Sequence, residues 1–261
     1  MSMTSTTTII PDELEYGGPH HWQIQPWARL ARKALRQREY LRWVDQYCTS
    51  VNVKGAEHLE ALDGPAIFIA NHQSHMDTPV FMQAMPEKIR NNLYFGAAAD
   101  RWFVKGKKKL ILQPWYQSLA MGNFPIVRGG GSRTLDYAKW LLDQNCNICI
   151  FPEGTRATDG KLGQFRHGVS LLALEKRVPV VPVLLKGLRE LRPKGSREVT
   201  PGPVSVSILE PVHLTRDSGM GVEASTQLLW ERMNREFFES IPFPGRNESS
   251  QEDATPRKDA A

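Results

Sequence analysis

The stretch Asn147-Ile148-Cys149-Ile150-Phe151-Pro152-Glu153-Gly154-Thr155-Arg156 decides the fold. Its apolar run is of strand length and shows no polar alternation, the mark of a strand buried on both faces. Pro152 ends the run, and charged and turn-forming residues follow at once. A helical pattern covers Thr134–Asp143 upstream, and a second over Val169–Lys176 leads into the apolar run Pro179–Leu184. Helices alternating with buried strands are the unit of a parallel sheet. The alternation continues outward in both directions. Strands are predicted at Val51–Val53, Ala66–Ala70, Leu93–Ala97, Phe124–Val127 and Val204–Leu209. Helices are predicted over Trp27–Cys48, Pro79–Met85, Lys109–Ala120 and Ala224–Glu239. The expected class is α/β, a largely parallel mixed sheet flanked by helices.

The chain has 261 residues, of which 41% are hydrophobic and 23% charged, so it is a folding sequence and not a disordered one. No apolar run approaches the ~18–20 residues of a membrane span. The opening MSMTSTTTIIPDELEY has neither a basic start nor an apolar core, so no secretion signal is expected. Residues 1–20 and the tail 244–261 have the composition of mobile ends. Between them lie a helical segment over 21–50 and the main domain over 51–243. Three cysteines exclude a disulfide framework. Cys146 and Cys149 sit at an odd spacing on one strand, which sends them to opposite faces as packing residues.

Open parallel sheets bind ligands beyond the carboxyl ends of their strands. After Ala66–Ala70 come His72, His75 and Asp77; after Phe124–Val127 comes Arg128; after Asn147–Phe151 come Glu153 and Arg156. An imidazole is a general base for a hydroxyl, and a carboxylate on its other nitrogen fixes its tautomer. His72 and Asp77 would lie on different faces of a continuous helix, but meet if the chain turns between them before a helix begins at Thr78-Pro79. Asp77 could instead be only a helix cap. His72, His75 and Asp77 also admit a reading as metal ligands, although H-x-x-H-x-D matches neither the zincin helix nor the familiar hydrolase signature. Arg128 and Arg156 suit a phosphate or carboxylate, or else surface ion pairs. Gly129-Gly130-Gly131 reads as a turn, lacking the Lys-Ser/Thr of a phosphate-binding loop.

Taken together these blocks resemble the glycerolipid acyltransferase family. N-H-Q-S-H-M-D at Asn71–Asp77 matches its H-x-x-x-x-D. Gly122-Asn123-Phe124-Pro125-Ile126-Val127-Arg128, Phe151–Arg156 and V-P-V-V-P-V at Val178–Val183 match the next three blocks in order. The resemblance covers roughly residues 51–215. It implies a glycerol-3-phosphate acyltransferase-like fold and acyl transfer from acyl-CoA or acyl carrier protein to the hydroxyl of a lysophospholipid, with lysophosphatidate giving phosphatidate. His72 would be the general base and Asp77 its orienting partner. Phe124, Arg128, Glu153, Gly154, Thr155, Arg156 and Pro182 would bind substrate, the arginines taking the phosphate. No cofactor and no metal is implied. The alternative is an acyl-thioesterase or a metal-dependent hydrolase using the same His/Asp cluster.

The net charge of +5 is local. Residues 27–48 carry six Lys or Arg against Glu39 and Asp45, a net of +4, and Lys105, Lys107, Lys108 and Lys109 add four, so the remainder sums to −3. In the first helix Arg29, Arg32, Lys33 and Arg36 share a face with Tyr40, Trp43 and Tyr47, while Trp27, Leu30, Ala31, Ala34, Leu41 and Val44 lie opposite. A cationic, aromatic stripe suits a headgroup layer, so this segment is expected to tether the chain to anionic lipid. Arg38 and Arg42 interrupt the aliphatic side and allow a break into two helices. The expected setting is peripheral, on the cytoplasmic face of the cell membrane. No nucleic-acid module accompanies the charge.

Overall fold

The computed structural model describes residues 19–104, 106, 108–127, 132–157, 160–192, 195, 196, 198–215 and 219–239. Arg128, Gly129–Gly131, Lys105, Lys107, residues 1–18 and the tail 244–261 lie outside these. The order of elements is α1 (Pro26–Leu35), α2 (Arg42–Tyr47), β1 (Cys48–Lys54), β2 (Ile67–Ala70), α3 (Asp77–Ala84), α4 (Glu87–Asn91), β3 (Leu93–Ala98) and α5 (Ala99–Trp102). Then follow α6 (Pro114–Ala120), β4 (Asn123–Ile126), α7 (Asp136–Asp143), β5 (Asn147–Ile150), α8 (Gly168–Lys176), β6 (Val180–Lys186), α9 (Leu188–Leu191), β7 (Gly202–Ile208) and α10 (Val222–Glu239).

The seven strands form one sheet in the order β1-β7-β6-β2-β5-β3-β4. β6, β2, β5, β3 and β4 run parallel; β7 is antiparallel to β6 and parallel to β1. Strand β2 is buried along its whole length, and so is β5, because helices cover both faces. Alternation divides the side chains. Phe68, Ala70 and Cys149 join the core under α2 and α3, while Ile67, Ile69, Ile148 and Cys146 join the core under α7, α8 and α10. The two cysteines are free, buried and on opposite sides, as their spacing predicts.

Two helices differ from expectation at a proline and at a charge. The helix predicted over Lys109–Ala120 is a 3-10 turn, Leu110–Leu112, followed by α6 with Pro114 in its first turn, where the missing N–H costs no bond. The helix predicted over Trp27–Cys48 breaks into α1, a π-helical turn Arg36–Leu41 and α2, and β1 begins at Cys48, inside the segment assigned to the tether.

The orientation of α1 also reverses expectation. Arg32 and Arg36, placed on the headgroup face, are 1% and 2% exposed. Arg32 donates to Leu119 O at 3.0 Å and Gln23 O at 2.9 Å, and Arg36 to Arg90 O at 2.5 Å, Leu93 O at 2.7 Å and Met121 O at 2.5 Å. Helix ends and strand ends leave carbonyls without internal partners, and here two guanidiniums serve them. Burial pushes the pKa of both arginines down. Trp27 and Leu30 face outward instead, at 58% and 71% exposure. No helix among the described residues is long and apolar enough to cross a membrane.

Candidate active site

The chain after β2 runs through four irregular residues and one turn, His75-Met76, before α3 begins at Asp77, and this brings His72 and Asp77 together. His72 Nδ1 and Asp77 Oδ2 are 2.6 Å apart. The same oxygen accepts the N–H groups of Gln73 at 2.7 Å and Ser74 at 2.9 Å. Asp77 is fully buried, so its charge rests on these donors and on the amino end of α3. With Nδ1–H donated to the carboxylate, Nε2 carries the lone pair. The imidazole, about a quarter exposed, stacks on Phe151 with centroids 4.3 Å apart and planes 24° apart. Beneath it, Asn71 closes a two-bond bridge with β6. Its Nδ2 donates to Leu185 O at 2.9 Å and its Oδ1 accepts from Leu185 N at 2.8 Å.

The Phe151–Arg156 segment wraps this loop. Glu153 is buried, and each of its oxygens accepts a backbone N–H. Oε1 accepts His72 N–H at 2.7 Å and Oε2 accepts Gly163 N–H at 2.9 Å. Burial raises its pKa, opposed by these two backbone bonds. Glu153, expected to bind the acceptor, braces the backbone of His72 and Gly163. Gly154 has φ +70°, and a Cβ there would stand 2.6 Å from Arg166 Nε, so its place is set by the turn. Thr155 is exposed at the rim. Ala157 N–H donates to His72 O at 2.8 Å, which holds Arg156 beside the His72–Asp77 loop.

Two other residues expected to bind substrate are buried in the fold. Phe124 is wholly buried, stacked on Tyr137 at 5.9 Å, so it builds the core beneath β4. Pro182 lies inside β6, level with Ile69. It accepts Leu209 N–H at 2.9 Å and has no N–H to return, so the ladder with β7 stops there and gives way to the bridge Val180–Val212. The register thus accounts for the proline. Arg128 lies outside the described residues.

His75 sits half-buried beside Arg156. Its pKa is pushed down to about 4 by burial and then by the charges of Arg156, Arg101, Arg192 and His72. Arg101, on α5 after β3, and Arg192, after α9, belong to no recognised motif. Only the sheet order brings them here.

A family model described as Acyltransferase matches residues 50–186. The chain is 31% identical over 182 residues to a chloroplastic 1-acyl-sn-glycerol-3-phosphate acyltransferase of Arabidopsis thaliana, covering 68% of this chain and 48% of that protein. It is 28% identical over 189 residues to 1-acyl-sn-glycerol-3-phosphate acyltransferase alpha of Homo sapiens, covering 70% and 60%. The chain thus spans about half the length of the curated relatives it matches. The crystal structure of the 1-acyl-sn-glycerophosphate acyltransferase PlsC from Thermotoga maritima superposes with a TM-score of 0.63 at 27% identity, covering 81% of this chain and 80% of that one.

Proposed function

The chain belongs to the acyltransferase family, and from that premise we propose that it is a 1-acylglycerol-3-phosphate O-acyltransferase. It moves a fatty acyl group from a thioester to the free hydroxyl of lysophosphatidate and so makes phosphatidate for phospholipid synthesis. The observation that carries this reading is the 2.6 Å contact of His72 Nδ1 with buried Asp77 at the carboxyl end of β2.

His72 Nε2 takes the proton of the acceptor hydroxyl as its oxygen attacks the thioester carbonyl. The C–S bond breaks as the tetrahedral intermediate collapses, and the imidazolium returns the proton to the departing thiolate. Asp77 stabilises the imidazolium and holds the ring. General-base help of this kind is worth ~10²–10⁴-fold, and juxtaposition of acceptor and thioester supplies the larger share. The donor is acyl-CoA or acyl carrier protein, and no cofactor takes part. Arg156 supports the acceptor phosphate, together with Arg128 from the second motif.

The lipid substrate implies a bilayer surface as partner. Trp27 and Leu30 on α1, and Leu110, Ile111 and Trp115 beside and on α6, are exposed, and α1 packs against α6. Exposed Lys108 and Lys109 adjoin the second group. Large apolar side chains rimmed by lysines suit the interface of an anionic leaflet. We place the protein peripherally on the cytoplasmic face of the cell membrane.

The test is product formation from a panel of acceptors with one acyl donor. Purified protein with acyl-CoA and lysophosphatidate should yield phosphatidate by mass spectrometry. Formation of free fatty acid in its place would move the assignment to a thioesterase.

A further inference from the structure

The strands β6, β2, β5 and β3 lie side by side and parallel, and each delivers a basic or imidazole side chain beyond its carboxyl end. In sheet order these are Arg192, His75, Arg156 and Arg101. Hydrogen bonds pin two of them to the catalytic loop. Ser74 Oγ donates to Arg192 O at 2.9 Å, and Ala157 N–H donates to His72 O at 2.8 Å beside Arg156. Arg192 Nε donates to Ser196 O at 3.3 Å, which fixes one edge of its guanidinium. The Arg101 guanidinium lies over the Trp102 ring at 5.4 Å.

We propose that Arg192, with Arg101, completes a three-guanidinium site begun by Arg156 and that these added charges select acceptors bearing a phosphate monoester. This rests on the acyltransferase reading of the same site. The three arginines follow the carboxyl ends of strands that are neighbours in the sheet. Besides burial, Arg101 and Arg192 both press the pKa of Arg156 down, with Asp77 opposing, and all three bear on His75. Such repulsion is relieved when an anion enters. Some cations elsewhere sit against carboxylates, as in Lys33–Glu87, Lys176–Asp143 and Arg232–Glu210. Among the described residues neither Arg101 nor Arg192 has a carboxylate partner.

A phosphate monoester carries up to two negative charges and free oxygens for several guanidinium N–H groups. A phosphodiester with a choline headgroup has one negative charge and brings a fixed positive charge into the cluster. The site therefore favours lysophosphatidate over lysophosphatidylcholine by attraction to one and repulsion of the other.

The experiment compares both acceptors, with one acyl donor, for the wild type, Arg192→Gln, Arg192→Lys and Arg101→Gln. Loss of one charge-assisted contact should raise the acceptor KM for lysophosphatidate about tenfold or more, with a smaller effect on kcat. The preference over lysophosphatidylcholine should fall, and Arg192→Lys should restore part of it. An unchanged KM, or equal losses on both acceptors, would overturn the proposal. Titration calorimetry with inorganic phosphate reads the anion site without catalysis. Weaker binding to Arg192→Gln than to the wild type supports the proposal, and equal binding refutes it. A wild type that acylates no acceptor yet binds phosphate through Arg192 would sink the acyltransferase reading alone.

Discussion

Asp77 receives three donors on Oδ2 and none on Oδ1, although both oxygens are buried. All of its hydrogen bonding goes to residues 72–74, so the residue orders the turn that presents His72 as well as orienting the ring. Glu153 does related work from the next strand, through the backbone of His72. Glu153→Gln replaces one acceptor oxygen with an NH₂ that faces an N–H group. It should therefore lower kcat roughly tenfold or more and leave the acceptor KM nearly unchanged, because the loss falls on the base and not on the ligand. Steady-state kinetics over both substrates checks this, and a rise in acceptor KM alone would return Glu153 to the substrate. His75 supplies a pH test. Its folded pKa is pushed from 6.5 to about 4. The stability gained by keeping it neutral is whole above pH 6.5 and is lost as pH falls toward 4. Unfolding free energies of wild type and His75→Gln should run parallel above pH 6.5, and the wild type should lose ground below it. Parallel curves down to pH 4 would contradict the placement of His75 among Arg156, Arg101 and Arg192. His72 and Asp77 were legible in the sequence because their spacing requires a turn and Thr78-Pro79 offers one. The work of Glu153 was not, because a carboxylate that braces two N–H groups reads the same as one that holds a ligand.

At the scale of the element, α1 shows what periodicity alone leaves open. The helical wheel separates a basic face from an aliphatic one, and solvation rules assign the basic face to water or headgroups. The carbonyls of Arg90, Leu93 and Met121 reverse that assignment, since they need donors and Arg36 reaches all three. Nothing in residues 26–47 announces partners 54 to 85 positions away. Arg36→Ala should therefore strand three buried acceptors and cost about 3 kcal/mol or more, given ~1–3 kcal/mol for each unsatisfied group. Denaturant unfolding measures it, and a loss below ~1 kcal/mol would show that water replaces the guanidinium. The strands were read more accurately. Buried apolar runs ending in turn residues have few alternatives, and the predicted Ala66–Ala70 and Asn147–Phe151 fall within a residue of β2 and β5. Arg101 and Arg192 stayed hidden because their neighbourhood depends on the order of strands, which no local pattern encodes.

For the whole molecule, the positive charge is divided by use. Arg32 and Arg36 are spent inside, Arg101, Arg156 and Arg192 gather at the carboxyl ends of the strands, and Lys108 and Lys109 stand outside. The proposed bilayer-facing surface accordingly depends on Trp27, Leu30, Leu110, Ile111 and Trp115 with fewer cations than composition implies. The double substitution Trp27→Glu, Leu30→Glu should weaken binding to phosphatidylglycerol vesicles about tenfold or more, each lost insertion being worth ~1.5–3 kcal/mol, without lowering thermal stability. Vesicle sedimentation decides, and unchanged binding would move the membrane contact elsewhere.

The central claim is that the His72–Asp77 pair delivers an acyl group to a hydroxyl. It is tested most directly by following thiol release from acyl-CoA, with and without lysophosphatidate, for the wild type and His72→Ala. The account predicts release by the wild type only when the acceptor is present. It also predicts a loss of ~10²–10⁴-fold or more in a His72→Ala protein that keeps its fold. Release independent of acceptor, or near-full activity in His72→Ala, would contradict it.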